Sequence, residues 1–199
     1  QVADAIGAKV EQIFFTSGGT EANNQVLWTK AEDKKKHIIV SSIEHPAILK
    51  VLKKIEPHGV TTSLVPVNTD GTVEIDSVTN LIHEDTGLIS IMLANNEVGT
   101  IQPVQEIVKI TRSLNIPFHT DAVQALGKIP VDVNSLGVEY LSLSAHKFYG
   151  PKGIGALFVK SKKMVKSLIV GGEQEYGIRG GTENIAGIVG MGLAAELVT

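Results

Sequence analysis

Residues 139–160 read EYLSLSAHKFYGPKGIGALFVK, and the reading of this stretch decides the fold. Tyr140–Leu143 is apolar and strand-like. Gly150, Pro151, Gly153 and Gly155 then impose a tight, irregular path, and Ala156–Val159 reads as a second strand. Ser144-Ala145-His146-Lys147 therefore stands at a strand end, with Lys147 carried on stiff backbone. An amine held in one geometry suits Schiff-base chemistry with a bound carbonyl. A solvated loop lysine beside a helix-capping serine is the plain alternative. The adjacent hydroxyl and imidazole, and glycines that permit close backbone approach, favour the functional reading.

Working outward, the chain has 199 residues, 43% hydrophobic and 20% charged, which suits one large domain with a substantial core. A net charge of −3 implies no basic surface for nucleic acid. No apolar run approaches the roughly 18–20 residues of a membrane span. There is no cysteine, which excludes disulfides and thiolate metal sites. The six histidines, His37, His45, His58, His83, His119 and His146, form neither HExxH nor a close pair, so no metal site is expected. Gln1–Gly7 reads as the last turns of a helix stopped by Gly7, and Ile188–Thr199 is a helical pattern without a terminator. The domain is expected to be cut at both ends.

Between these ends, apolar strands alternate with helical patterns. Ile13–Thr16 is a strand, followed by Ser17-Gly18-Gly19-Thr20-Glu21 and a helix over Ala22–Ala31. A glycine turn feeding a helix start offers free amides and a positive dipole end to an anion. Thr20 as a simple N-cap is the alternative. His37–Ser42 is the next strand, and His45 precedes a helix opened by Pro46 that runs to Glu56. His45 is either a cap or a flat, titratable group over a ligand. Thr61–Val67 reads as a strand and Asp76–His83 as a short helix. Gly87–Leu93 is a buried strand ending in Asn95-Asn96-Glu97-Val98-Gly99, and Pro103–Leu114 is an amphipathic helix. Ile116–Thr120 leads to Asp121, a carboxylate at a strand end that needs a partner. Gly19/Thr20, His45, Asn96, Asp121 and Lys147 each follow a strand, and ligands of open α/β sheets bind beyond the carboxyl ends of strands.

The segment SLSAHKFYGPKGIGALFV resembles the cofactor-lysine segment of class V aminotransferase-fold enzymes, which use pyridoxal 5′-phosphate (PLP). Within that class it is most similar to the cysteine desulfurases. SGGTEANN, NNEVG, FHTDAVQALGKIPVDV and GGEQEYGIRGGTEN follow in family order, from Ile13 to the chain end. The resemblance implies an α/β fold: a type I PLP-dependent transferase large domain over residues 1–199, with a mostly parallel sheet flanked by helices. It implies that Lys147 holds PLP, Asp121 pairs with the ring nitrogen and His45 stacks on the ring. Asn96 and Gln124 would lie on the 3′-oxygen side. Gly19, Thr20, Ser144 and His146 would hold the phosphate, and Thr182 would reach the phosphate of a neighbouring subunit.

The implied reaction converts L-cysteine to L-alanine and an enzyme-bound persulfide, for iron–sulfur cluster or thio-cofactor supply. A cytoplasmic homodimer that meets a sulfur-acceptor or scaffold protein is the expected setting. A selenocysteine lyase, an aminotransferase or an epimerase of the same class, or a truncated domain without catalysis, is the alternative. Two departures stand out. Glu173 replaces a family glycine and Tyr176 an arginine. The family attacks sulfur with a cysteine on a mobile loop, and this chain has none.

Overall fold

Strand residues of this chain alternate between two hydrophobic layers, which is what a sheet covered on both faces requires. A computed structural model describes residues 1–199. Its strands are β1 (Ile13–Thr16), β2 (His37–Ser41), β3 (Thr61–Val65), β4 (Thr86–Ser90), β5 (Phe118–Asp121), β6 (Tyr140–Ser144) and β7 (Gly155–Val159). They form one sheet in the order β1-β7-β6-β5-β4-β2-β3. β7 runs antiparallel to both its neighbours, and every other pairing is parallel, so β1–β6 share one direction. The mostly parallel sheet that the resemblance implies is the one observed.

Phe14, Ile38, Val40, Leu88, Leu157 and Val159 face helices α2 (Gly19–Ala31) and α3 (Pro46–Ile55). Ile13, Ile39, Ile89, Phe118 and Phe158 face the other layer. That layer contains α1 (Val2–Ala5), α5 (Val104–Ser113), α6 (Val133–Leu136) and α7 (Ile185–Val198), with α4 (Ile75–Thr79) beside α5. Helix α7 is apolar all round and leaves Ile185, Val189, Leu193 and Leu197 exposed at four-residue spacing. No helix is long and apolar enough to cross a membrane.

Several element ends differ from the sequence reading. Helix α2 begins at Gly19, not Ala22, so Thr20 is its second residue and not its cap. Helix α4 stops at Thr79, short of His83, whose amide bonds to Thr86 Oγ1 (3.0 Å) and whose ring stacks on His37 at 4.0 Å. Strand β4 ends at Ser90, although the amides of Ile91 and Leu93 still donate to the carbonyls of His119 and Asp121. The middle of the sheet also holds a polar link. His119 is fully buried between Ser90 Oγ (2.7 Å) and Ser142 Oγ (3.0 Å), joining β4, β5 and β6. Burial pushes its imidazole down to about 3, so the ring is neutral.

Gly155 opens β7 where it passes the turn before α2. A Cβ there would lie 2.6 Å from Gly18 Cα and 2.6 Å from the Leu143 carbonyl oxygen. Both obstacles are backbone, so an alanine must displace the Gly18 turn. Gly155→Ala is expected to lower stability by about 1–3 kcal/mol in urea titration. Gly153→Ala is the control. Its Cβ meets nothing within 4 Å at φ +80°, and it should lose only about 1 kcal/mol to the left-handed backbone.

Candidate functional site

Because β1, β2, β4, β5 and β6 run the same way, the chain leaves each of them at one edge of the sheet. A cavity of about 570 Å³ lies there. Gly19, Thr20, His45, Asn96, Asp121, Gln124, Ser144, His146 and Lys147 all line it. Thr182 does not. It sits exposed on the glycine-rich segment between β7 and α7.

One end of the cavity is built for an anion. The first amides of α2, those of Gly19, Thr20 and Glu21, meet no acceptor within the chain, and α2 is 13 residues long. Ser144 Oγ pairs with His146 Nδ1 at 3.0 Å on the neighbouring strand end. Burial and the charges of Lys147 and Lys152 push the His146 imidazole below its ordinary range. A Cβ on Gly19 would lie 2.5 Å from Val123 Cγ2, so only glycine lets the turn settle against β5's end.

The floor is a carboxylate. Asp121 is buried, and Val123 N donates to Oδ1 (3.0 Å) while Asn23 Nδ2 donates to Oδ2 (2.6 Å). Burial pushes its carboxyl up, and the bonds from Val123 and Asn23 and the charge of His45 pull against that. Asn23 was not singled out from sequence. It lies four residues past Gly19 on the same helix face, and that spacing in SGGTEANN is the signal that could have found it.

The walls come from turns. His45 caps α3, its Nδ1 accepting from Ala47 N at 3.1 Å, and its ring lines the cavity. The cap reading and the functional reading are therefore compatible. The two asparagines divide their work. Asn95 is buried, takes the amides of Glu97 and Val98 on Oδ1, and shapes the turn. Asn96 is exposed and lines the cavity. Gln124 Oε1 accepts from Lys128 Nζ at 2.9 Å.

Lys147 belongs to a 3₁₀ turn over Ala145–Phe148, closed by Tyr149 in the left-handed region (φ 67°). A bulky residue at that φ is uncommon and stiffens the lysine's backbone. Lys152 lines the same cavity and was not assigned from sequence.

The glycine-rich segment is tied to the anion end. Arg179 Nε donates to Glu21 Oε1 at 2.9 Å, and Glu21 Oε2 accepts from Ser17 N at 2.9 Å. Burial alone would push the Glu21 carboxyl up, but the bonds from Arg179 and Ser17 outweigh it and hold it below its ordinary value. Tyr176 packs edge-on against Phe14 at 6.3 Å.

One expectation is corrected. The implied reaction left sulfur on the enzyme as a persulfide, which needs a cysteine thiolate. None of the 199 residues is a cysteine. Ser17, Thr20 and Ser144 at the cavity carry hydroxyls, which are far less acidic and less polarisable. This chain therefore does not perform the persulfide-forming reaction by itself, and the reading as a domain without that catalysis fits better.

Comparison with known proteins agrees with this architecture. The family described as aminotransferase class-V matches residues 1–199. The chain is 52% identical over 200 residues to cysteine desulfurase IscS of Dictyoglomus turgidum, covering 99% of this chain and 51% of that protein. It is 46% identical to the mitochondrial cysteine desulfurase of Arabidopsis thaliana, covering 99% of this chain and 45% of that protein. It thus spans about half the length of the relatives it matches. A solved NifS-like protein superposes with a TM-score of 0.95 at 45% identity, over 99% of this chain and 55% of that one. SspA, solved in complex with cysteine, superposes with a TM-score of 0.92 at 41% identity, over 98% of this chain and 58% of that one. A type I PLP-enzyme sheet, a cavity at its carboxyl edge and a family match over the whole length lead to one assignment: the chain belongs to the class-V aminotransferase family and is similar to its cysteine desulfurases.

Proposed function

We propose that residues 1–199 form a PLP-binding large domain, that Lys147 is its point of covalent attachment, and that the domain does not by itself release sulfur from an amino acid. The observation that carries this reading is the meeting of an open helix N-terminus, a buried carboxylate and an exposed lysine in one cavity. The residues present fit the cofactor. The free amides of α2, the Thr20 hydroxyl and the Ser144–His146 pair suit a phosphate. Asp121, held by Asn23 and Val123, suits a protonated ring nitrogen. The flat His45 ring suits a stacking face, and Asn96 and Gln124 suit the phenolic oxygen.

When bound, PLP supplies an electron sink for charge developing at a substrate's α-carbon. The chain's own contribution is positional. With the cofactor in place, Asp121 would hold a proton on the ring nitrogen, and Lys147 Nζ would be the base placed to hold a proton from the substrate's α-carbon. Similarity to the cysteine desulfurases, and the cysteine bound to SspA, support L-cysteine as the amino acid. The same similarity supports a homodimer in which Thr182 completes the neighbour's phosphate site, and an acceptor or scaffold protein for the sulfur. Sulfur release then requires a thiolate that these residues do not contain.

Two measurements test this. After loading with PLP, borohydride reduction and peptide mapping, the adduct is expected on Lys147. Lys147→Ala should give no adduct while its stability in urea titration changes by no more than about 0.5 kcal/mol, since the side chain is exposed. Labelling of Lys152, which shares the cavity, would overturn the assignment. In the second, the loaded chain is mixed with L-cysteine as the sole thiol. A spectral change without alanine above the level produced by free PLP is expected, and steady alanine formation would overturn the non-desulfurating reading.

A further inference from the structure

Glu44 is a buried carboxyl to which the site described above gives no role. It stands between the end of β2 and His45 and is 4% exposed. Its Oε1 accepts from Ser41 Oγ at 2.6 Å and from the Met92 amide at 2.8 Å. Its Oε2 is buried with no partner. Ser41 is the last residue of β2, and Met92 lies just beyond β4. The ladder between these strands ends at Val40 and Ser90. Past that point side chains tie the two segments together: Glu44 on Met92, and Asn95 Nδ2 on the Ile43 carbonyl at 3.2 Å. The segments then become two walls of the cavity, His45 and Ala47 on one side, Met92, Ala94 and Asn96 on the other.

We infer that Glu44 is a positioning residue of the cavity: its carboxyl links Ser41 to Met92 and so sets the spacing between the His45 wall and the Met92–Asn96 wall. The inference rests on the cofactor-site reading above. An isostere that keeps an acceptor oxygen should do the same work, and truncation should not.

The link works as a neutral acid. Burial pushes the Glu44 carboxyl up to about 8, the bonds from Ser41 and Met92 pull against this, and Asp121 adds to the push. Asp121, at the end of β5, is the titratable group that faces it, and His45 follows it in the chain. A neutral Glu44 adds no charge beside Asp121, whereas ionisation would place one there.

The sign of the pH effect follows from linkage. Between its ordinary value of 4.5 and about 8, the folded chain keeps a proton that the unfolded chain has lost. Glu44's contribution to stability is therefore complete below pH 4.5 and is lost as pH rises towards 8. His119 acts in the opposite sense, complete above its ordinary 6.5 and lost as pH falls towards 3. The two slopes oppose each other between pH 4.5 and 6.5, and Glu44 emerges from the His119 effect between 6.5 and 8.

The test compares the 199-residue chain with Glu44→Gln and Glu44→Ala, with and without PLP. The wild-type Tm should fall by about 5 °C from pH 6.5 to 8 relative to that of Glu44→Gln. At pH 7 the Gln variant should bind PLP within about threefold of wild type. Glu44→Ala should lose about tenfold or more in PLP affinity, and its Met92 amide should lose protection from hydrogen exchange. An Ala variant that keeps both PLP affinity and Met92 protection would overturn the inference. A Gln variant that keeps the wild-type pH slope would overturn the neutral state of the link. If Glu44→Ala does not fold, Glu44→Asp, whose carboxyl is one methylene short of Met92, takes its place: it should lose PLP affinity and Met92 protection, and keeping both would overturn the inference. A wild-type chain that takes up no PLP overturns the cofactor reading, while loss of Met92 protection in Glu44→Ala still supports Glu44 as the strand-end link.

Discussion

The shared direction of six strands is the constraint on which the rest of this molecule depends. Parallel strands deliver their carboxyl ends to one edge, so a turn after each strand places one polar group there. The chain uses five such turns, after β1, β2, β4, β5 and β6. The exception, β7, fills the gap between β1 and β6 by running backwards. Its first residue must then lie against the turn after β1, and Gly155 is in contact with the Gly18 backbone. The reversed strand thus packs behind the turn that carries the anion end of the cavity.

A polar layer below that edge follows from the same geometry. Groups at strand ends are partly withdrawn from water, and unpaired charge there is costly. The chain answers with neutral or bonded groups. His119 is shared between two serines, Glu44 is held by Ser41 and Met92, and Asp121 is held by Asn23 and Val123. Of the buried side-chain atoms left without partners, Asn23 Oδ1 and Glu44 Oε2 belong to residues beside Asp121. The third, Gln25 Oε1, lies away from the cavity, where the Gln25 amide bonds to the carbonyls of Lys166 and Ile178.

The absence of cysteine bears on chemistry and not on the fold. Cofactor capture needs amides, a carboxylate and an amine, and the sheet edge supplies all three within these residues. Accepting sulfur needs a polarisable thiolate, which no arrangement of serine, threonine or lysine replaces. The two requirements are separable because the groups that meet the first stand at strand ends, whereas the second needs a thiol that none of these residues carries.

Local pattern in the sequence was enough to read the alternation of strands and helices, the helix opened by Pro46, the turn holding Lys147 and the missing thiol. These depend on side-chain period and on residues with restricted backbone, both of which act within a few positions. Tertiary structure alone decided the reversed β7, the start of α2 at Gly19 and the division between a structural Asn95 and an exposed Asn96. It also decided the pairing of Asn23 with Asp121 across 98 residues, the link from Glu44 to Met92 across 48, and Thr182's place outside the cavity. The reason is physical: which strand ends become neighbours is set by packing two hydrophobic layers against one sheet, and no stretch of sequence contains that order by itself.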